Sequence, residues 1–519
     1  MQSNQSTSHP KGLAVLFATE MWERFNYYGM RAILILFMTK ALLFSKDFSS
    51  QMYGGYTSLI YLTPLVGGYI ADRFWGNQRS IIIGGLVMML GELILFFCGS
   101  TYASNPHLST QLLFLGLGFM IAGNGFFKPN ISALVGQLYP KGDSRIDSAY
   151  TIFYMGINVG GALGPFICGL VGDTGNPADF KWAFLAGAAG MLTSVLIQLA
   201  FHKKYVLSPD KTILGQTPAD APKWTKNPLY IGLGLLGLVF ISGGLLYIDS
   251  GLAHIPEWGF TIGKISFSTS VLTNLVFLLV ASIVTIALII FTDKTLTKIE
   301  KSKVVVIFVV SFFVVFFWSA FEQAGASLTF FADEQTQRDL GFFVVPASFF
   351  QSLNSIFVVS LAPVFAWLWV KLGKNDPSSP TKMALGLFLL ALGYLWIAFG
   401  VKDVQPGIKV SMIWLIGMYG LHSAGELCLS PIGLSLVNKL APLKFASMLM
   451  AVWFTANAFA NYLAGTLSKL YPEPGKLTQI LGYSINNNYD FFMLFVVMAG
   501  LASLILFFLS RKLQTLMNS

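Results

Sequence analysis

Apolar runs of about twenty residues or more, each long enough to cross a hydrocarbon core roughly 30 Å thick as a helix, recur about fourteen times along this chain. No other feature constrains the fold as tightly. Backbone immersed in lipid must satisfy its own N–H and C=O groups, and only helices or a closed β-barrel do so. The period-two alternation of a barrel is absent. The sequence therefore predicts an all-α polytopic membrane protein whose first partner is the lipid bilayer. Composition agrees, with 55% of the 519 residues hydrophobic, 11% charged and a mean hydropathy of +0.66.

The runs are not evenly distributed. Six are followed by the basic, polar stretch "HKKYVLSPDKTILGQTPADAPKWTKN", then by two near residues 228–248 and 265–291, then by six more. This order predicts a six-helix bundle over residues 1–203, a linker with two extra spans over 204–302, and a second six-helix bundle over 303–519. Secondary transporters are often built from two such halves, with the substrate site near the midplane. An N-terminus placed inside gives the inner loops about 21 Lys and Arg and the outer loops about 9, the asymmetry that retention of positive charge on the cytoplasmic side requires. Both termini are expected in the cytoplasm, with the chain in the inner (plasma) membrane. The same bias accounts for the net charge of +9, and no basic run interleaved with aromatics points to nucleic acid. The polar start "MQSNQSTSHPKG" lacks a cleavable signal pattern, so retention of the first span is expected. Cys98, Cys168 and Cys428 fall inside spans without metal-ligand spacing; they are expected to pack as small hydrophobes, and neither metal nor cofactor is expected.

Against this background the charged residues inside spans stand out. A charge at the centre of a bilayer helix costs roughly 2.5–3.5 kcal/mol on insertion scales. The first span, "ATEMWERFNYYGMRAILILFM", nevertheless holds Glu20, Glu23, Arg24 and Arg31. With Tyr27 and Tyr28 they recur at helical spacings of three, four and seven, so they share a face that must line a wet cavity or meet partners on other helices. Lys128 in "AGNGFFKPNISALVG", Glu322 in "FFWSAFEQAGASL" and Glu426 in "LHSAGELCLSPIGLS" are lone charges in other spans. Glu92, without charged neighbours or a polar stripe, is expected to be structural. Between the second and third spans, "GGYIADRFWGNQRSIIIG" supplies glycines for a tight turn and places Asp72, Arg73 and Arg79 where a loop would pair charges between helix ends, a candidate conformational latch. The first span and the one carrying Glu322 run in the same direction. Arg31 lies about 10 Å beyond Arg24 and Asp333 about 16 Å beyond Glu322 along their helices, so Arg31 with Asp333 or Glu334 is a candidate gate pair.

Several motifs carry a resemblance. "EMWERFNYYGMRAIL" is similar to the ExxERFxYYG signature of the proton-dependent oligopeptide transporter (POT) family of the major facilitator superfamily, and "FYMGINVGG" to its FYxxINxGS signature. "GNGFFKPN" and "FWSAFEQ" supply that family's lysine and glutamate. The loop motif "GGYIADRFWGNQRSIIIG" resembles the superfamily's own. Two positions depart from the pattern: Gly161 stands where Ser is usual, and Gly54 stands where animal members carry a proton-linked histidine. The short loop after "GYLWIAFG" and the extra helix pair match the bacterial branch.

The resemblance implies the major facilitator fold and a monomeric symporter that imports di- and tripeptides with protons by alternating access. It implies that Arg24 and Lys128 hold the peptide carboxylate and Glu426 its ammonium, that Asn158 and Asn354 meet the amide, that Tyr27, Tyr28, Tyr61 and Ser430 lie nearby, and that Trp318 and Trp453 wall the side-chain pockets. Coupling would rest on Glu322 paired with Lys128 or Arg24, with Glu20 and Glu23 a second candidate set. The alternative is the same machine moving another small anion, nitrate or an organic acid, which would have no use for Glu426. An intramembrane hydrolase finds no support, since HExxH and paired aspartates across spans are missing and the histidines are scattered. A scaffold that kept the fold would show no solute flux.

Overall fold

The computed structural model describes residues 8–518 apart from 141, 223, 224, 226, 254–258, 263, 264, 269–273, 406, 477 and 481. Among the described residues there are fourteen long helices. They are α1 (Lys11–Leu36), α2 (Lys46–Ile70), α3 (Asn77–Thr101), α4 (Pro106–Gln137), α5 (Ile146–Gly172), α6 (Phe180–Tyr205), α7 (Pro228–Asp249), α8 (Leu275–Thr292), α9 (Lys298–Phe321), α11 (Phe349–Leu372), α12 (Ser379–Val401), α13 (Met412–Leu440), α14 (Ala446–Ser468) and α15 (Asn488–Asn518). A short helix, α10 (Ser327–Glu334), continues α9 after a break. At roughly 1.5 Å per residue, even the 18-residue α8 approaches bilayer thickness. The apolar run near 265–291 divides in the structure: β2 (Ile265–Ser268) pairs antiparallel with β1 (Gly259–Ile262), and helix begins only at Leu275, capped by the Asn274 side chain. Among the described residues eleven helices are long enough and contain a stretch apolar enough to cross a membrane. The charges of α1 keep it off that tally.

Local chemistry fixes the ends. Thr297 and Glu300 form a reciprocal capping box at the start of α9, with Thr297 N–H donating to Glu300 Oε2 at 2.8 Å and Glu300 N–H to Thr297 Oγ1 at 3.1 Å. Asn105 caps α4 ahead of Pro106, whose missing N–H costs nothing there. Gly76, at φ +77°, closes the turn between α2 and α3; a Cβ there would also lie 2.4 Å from the Gln216 carbonyl oxygen. That approach lets the polar linker dock on the turn, with Gln78 N–H donating to Gly215 O at 3.0 Å and the Thr217 hydroxyl to Trp75 O at 3.0 Å.

The chain forms two compact units, Met1–Leu43 with Leu62–Gly244, and Phe44–Tyr61 with Leu245–Ser519. Two helices, α2 and α7, are thereby divided between them. In the first unit α1 packs directly on α5 through glycines: a Cβ on Gly160 would sit 2.2 Å from Met21 O, and one on Gly164 2.4 Å from Phe25 O. In the second, the first half of α2 meets α14 backbone to backbone. A Cβ on Gly54 would lie 2.9 Å from Gly465 Cα, and the Ser50 hydroxyl donates to Ser468 at 3.0 Å. The absence of a histidine at position 54 thus has a steric reason in this chain. The flanking α7 and α8 leave Leu233, Phe240, Ile241, Val284 and Leu288 exposed, as surfaces solvated by lipid do.

Candidate functional site

The charged stripe of α1 folds into an acid–base ladder. Glu20, Glu23 and Arg24 are all at most 2% exposed. Arg24 Nε donates to Glu23 Oε2 and forms an ion pair with Glu20 Oε1 at 3.1 Å, so one guanidinium holds two carboxylates. Glu23 also accepts from Asn124 Nδ2 at 3.3 Å, and Lys128, one turn further along α4, acts electrostatically on Glu20. The guanidinium of Arg24 lies 5.2 Å from the Tyr27 ring centre and 6.0 Å from that of Tyr28. Arg31 approaches the same rings at 5.9 and 5.2 Å, and the rings meet edge to face at 5.1 Å. The order along the face is therefore acids, cation, aromatic pair, cation. Ion pairs this deeply buried offset their desolvation only when the remaining hydrogen-bonding capacity is met. Arg24 Nη2 and Glu20 Oε2 are buried without a hydrogen-bond partner among the described protein atoms. A buried group left so costs about 1–3 kcal/mol, and a polar ligand that meets it recovers that cost.

Asn158, on α5, is buried and donates to its own helix at Tyr154 O, 2.9 Å. Asp72 and Arg73 are exposed on the turn after α2, with Arg79 half-buried at the start of α3.

In the second unit Asn354 of α11 bridges to α13, its Nδ2 donating to Glu426 Oε2 at 2.9 Å and to Ser423 Oγ at 3.0 Å. Ser430, one turn beyond Glu426, is half-buried. Glu322 is 3% exposed at the point where α9 gives way to a 3₁₀ turn, Glu322–Gly325. A Cβ on Gly325 would lie 1.8 Å from the Tyr53 hydroxyl, so the break lets this strand of backbone close on α2. Trp318 packs edge-on to Phe317 and Phe321 on the same helix, at 5.3 and 5.2 Å. Trp453 of α14 lies so close to Gly433 that a Cβ there would be 2.1 Å from its ring. Tyr61 ends the part of α2 that belongs to this unit and is half-buried. Asp333 binds Arg338 at 2.8 Å, and Glu334 binds Lys46 at 2.6 Å. Both candidate gate acids thus have basic partners close by.

The structure thus gathers Glu20, Glu23, Arg24, Tyr27, Tyr28, Arg31 and Lys128 in one unit and joins Asn354 to Glu426 in the other. It adds residues the sequence reading passed over. Asn124 lies one turn before Lys128, a spacing that could have flagged it. Ser423 lies three before Glu426. Glu92 accepts from Asn26 Nδ2 at 2.8 Å.

The model of the "POT family" matches residues 78–483. An uncharacterized transporter of Bacillus subtilis is 36% identical over 470 residues, 90% of this chain and 89% of the relative. A di-/tripeptide transporter of Lactococcus lactis is 33% identical over 475 residues, 89% of this chain and 90% of its own length. Among solved structures, a glutamate-to-glutamine mutant of a peptide transporter, POT, in complex with alafosfalin superposes with a TM-score of 0.79 at 31% identity, covering 99% of this chain and 97% of that one.

Proposed function

Because this chain belongs to the POT family of transporters, we propose that it is a proton-coupled symporter that imports di- and tripeptides by alternating access. The fold is that of the major facilitator superfamily, two six-helix bundles with two extra helices between them. The observation that carries the reading is the buried ladder of α1, in which Arg24 faces two carboxylates and keeps Nη2 uncommitted.

A short peptide presents a carboxylate, an amide and an ammonium. Arg24 and Lys128 take the carboxylate through charge-assisted hydrogen bonds, and Glu426, oriented by Asn354, takes the ammonium. Asn158 offers a donor and an acceptor to the amide and Asn354, whose Nδ2 is held by Glu426 and Ser423, its Oδ1 acceptor; Tyr27, Tyr28, Tyr61 and Ser430 add hydroxyls, and Trp318 and Trp453 supply apolar walls that tolerate varied side chains. Glu322 carries the coupling proton: ionised, it competes with the peptide for Lys128 or Arg24; protonated, it releases the cation to the carboxylate. Glu20 and Glu23, which share Arg24, are the second candidate set for the coupling proton. Asp72, Arg73 and Arg79 act as a latch between conformations, and Arg31 trades between states with Asp333 or Glu334 as a gate. The bundles span 1–203 and 303–519, the chain works as a monomer in the inner membrane, and both termini face the cytoplasm.

Uptake of a dialanine-type peptide into proteoliposomes, with and without an inward proton gradient, tests the reading. Accumulation only with the gradient is expected. Accumulation of nitrate or an organic acid without peptide uptake would move the assignment to the alternative cargo, and absence of any flux would end it.

A further inference from the structure

Away from the charged residues the second unit holds an apolar cavity of about 570 Å³ between α12 and α15. Its floor is made of small side chains, Ala384, Ala391, Gly500 and Ser503, and its rims of exposed ones, Phe388 and Phe507 among them, so it opens on the lipid-facing surface. The two helices are pinned there by the Ser503 hydroxyl, which donates to Ala384 O at 2.7 Å. The floor is wide: a Cβ added at Gly500 would find its nearest neighbour, Ala391 Cβ, 4.0 Å away.

Dimensions and charge select the occupant. Both walls are present where α15 runs from 496 to 507, about 16 Å at 1.5 Å per residue, which matches one leaflet of a core roughly 30 Å thick. The groove face of α15, with Gly500, Leu504 and Phe507 at helical spacing, continues at Arg511, one turn or about 6 Å past Phe507. Arg511 and Lys512 are exposed there. On the α12 side Asp376 is occupied by Lys382 at 2.7 Å, and that ammonium also sits 4.4 Å over the Trp369 ring. Exposed Lys374 adds a further positive charge near the same end.

We propose that this groove is a binding site for one anionic phospholipid, its acyl chain lying along Ala391, Gly500 and Ser503 and its phosphate held by Arg511 and Lys512. The site stands apart from the transport reading and does not depend on it. Native mass spectrometry of the full chain in detergent, offered equal amounts of phosphatidylglycerol and phosphatidylcholine of the same acyl length, tests it. One retained phosphatidylglycerol per monomer is expected, in preference to phosphatidylcholine. Gly500→Leu, which the open floor accommodates, should fill the groove and lose the adduct. Arg511→Gln with Lys512→Gln should cut the preference by roughly fivefold per charge removed. Retention unchanged in Gly500→Leu, equal retention of both lipids by the native chain, or a lipid-free dimer that Gly500→Leu disrupts would each overturn the proposal. Peptide uptake measured on the same preparations reports separately on transport.

Discussion

Glu426 offers the sharpest test of how a peptide's two ends are told apart. Replacing it by Gln keeps a carbonyl oxygen to accept the 2.9 Å hydrogen bond from Asn354, so the α11–α13 link survives and only the charge is lost. A hydrogen bond to a charged partner contributes about 1.5–3 kcal/mol against about 0.5–1.5 for a neutral one, a difference of about 1–2 kcal/mol. Half-saturation for a free dipeptide should therefore rise about 5- to 30-fold in Glu426→Gln. The companion measurement uses the N-acetylated peptide, which has no ammonium. It should bind the native protein weakly and be no worse in the variant, because a double-mutant cycle isolates the pairwise contribution. Both are read as half-saturation in proteoliposome counterflow, which needs no gradient. Equal losses for free and acetylated peptide would refute an ammonium contact at Glu426. No loss for either would turn the assignment towards an anion without an amino group.

Glu322→Gln is expected to abolish gradient-driven accumulation while leaving peptide counterflow, and normal concentrative uptake would remove Glu322 from coupling. In Asp72→Ala the maximal rate should fall with half-saturation little changed; unchanged turnover in vesicles would count against the latch. Gly433→Leu drives a side chain into Trp453 and should cost about 1–3 kcal/mol by overpacking, seen as a lower melting temperature in detergent. Asp143, in the loop between α4 and α5, accepts hydrogen bonds from the Arg145 side chain and backbone, which hold its carboxyl at about 2 against the usual 3.8. A depressed value means stabilisation present above the ordinary value and lost as pH falls through the folded one. The melting-temperature gap between native protein and Asp143→Asn should accordingly shrink between pH 3.8 and about 2, and a gap independent of pH would show that the pair contributes nothing.

What the sequence determined on its own was whatever follows from one helix at a time. Length and apolarity fixed the spans, because lipid leaves backbone no alternative to internal hydrogen bonds. Period 3.6 placed Glu20, Arg24, Tyr27 and Arg31 on one face, since that spacing is a property of the helix itself. Signatures concentrated in α1 and α5 named the family for the same reason. Only the tertiary structure decided what depends on two helices meeting. That Asn124 answers Glu23, that Asn354 orients Glu426, and that α9 breaks at Glu322 so that Gly325 can close on Tyr53 are facts of packing between segments tens to hundreds of residues apart. No local period encodes them. The helix start at Leu275 rather than near 265 shows the limit from the other side: an apolar run has the same composition in strand and helix, and the hairpin with β1 decided which it became.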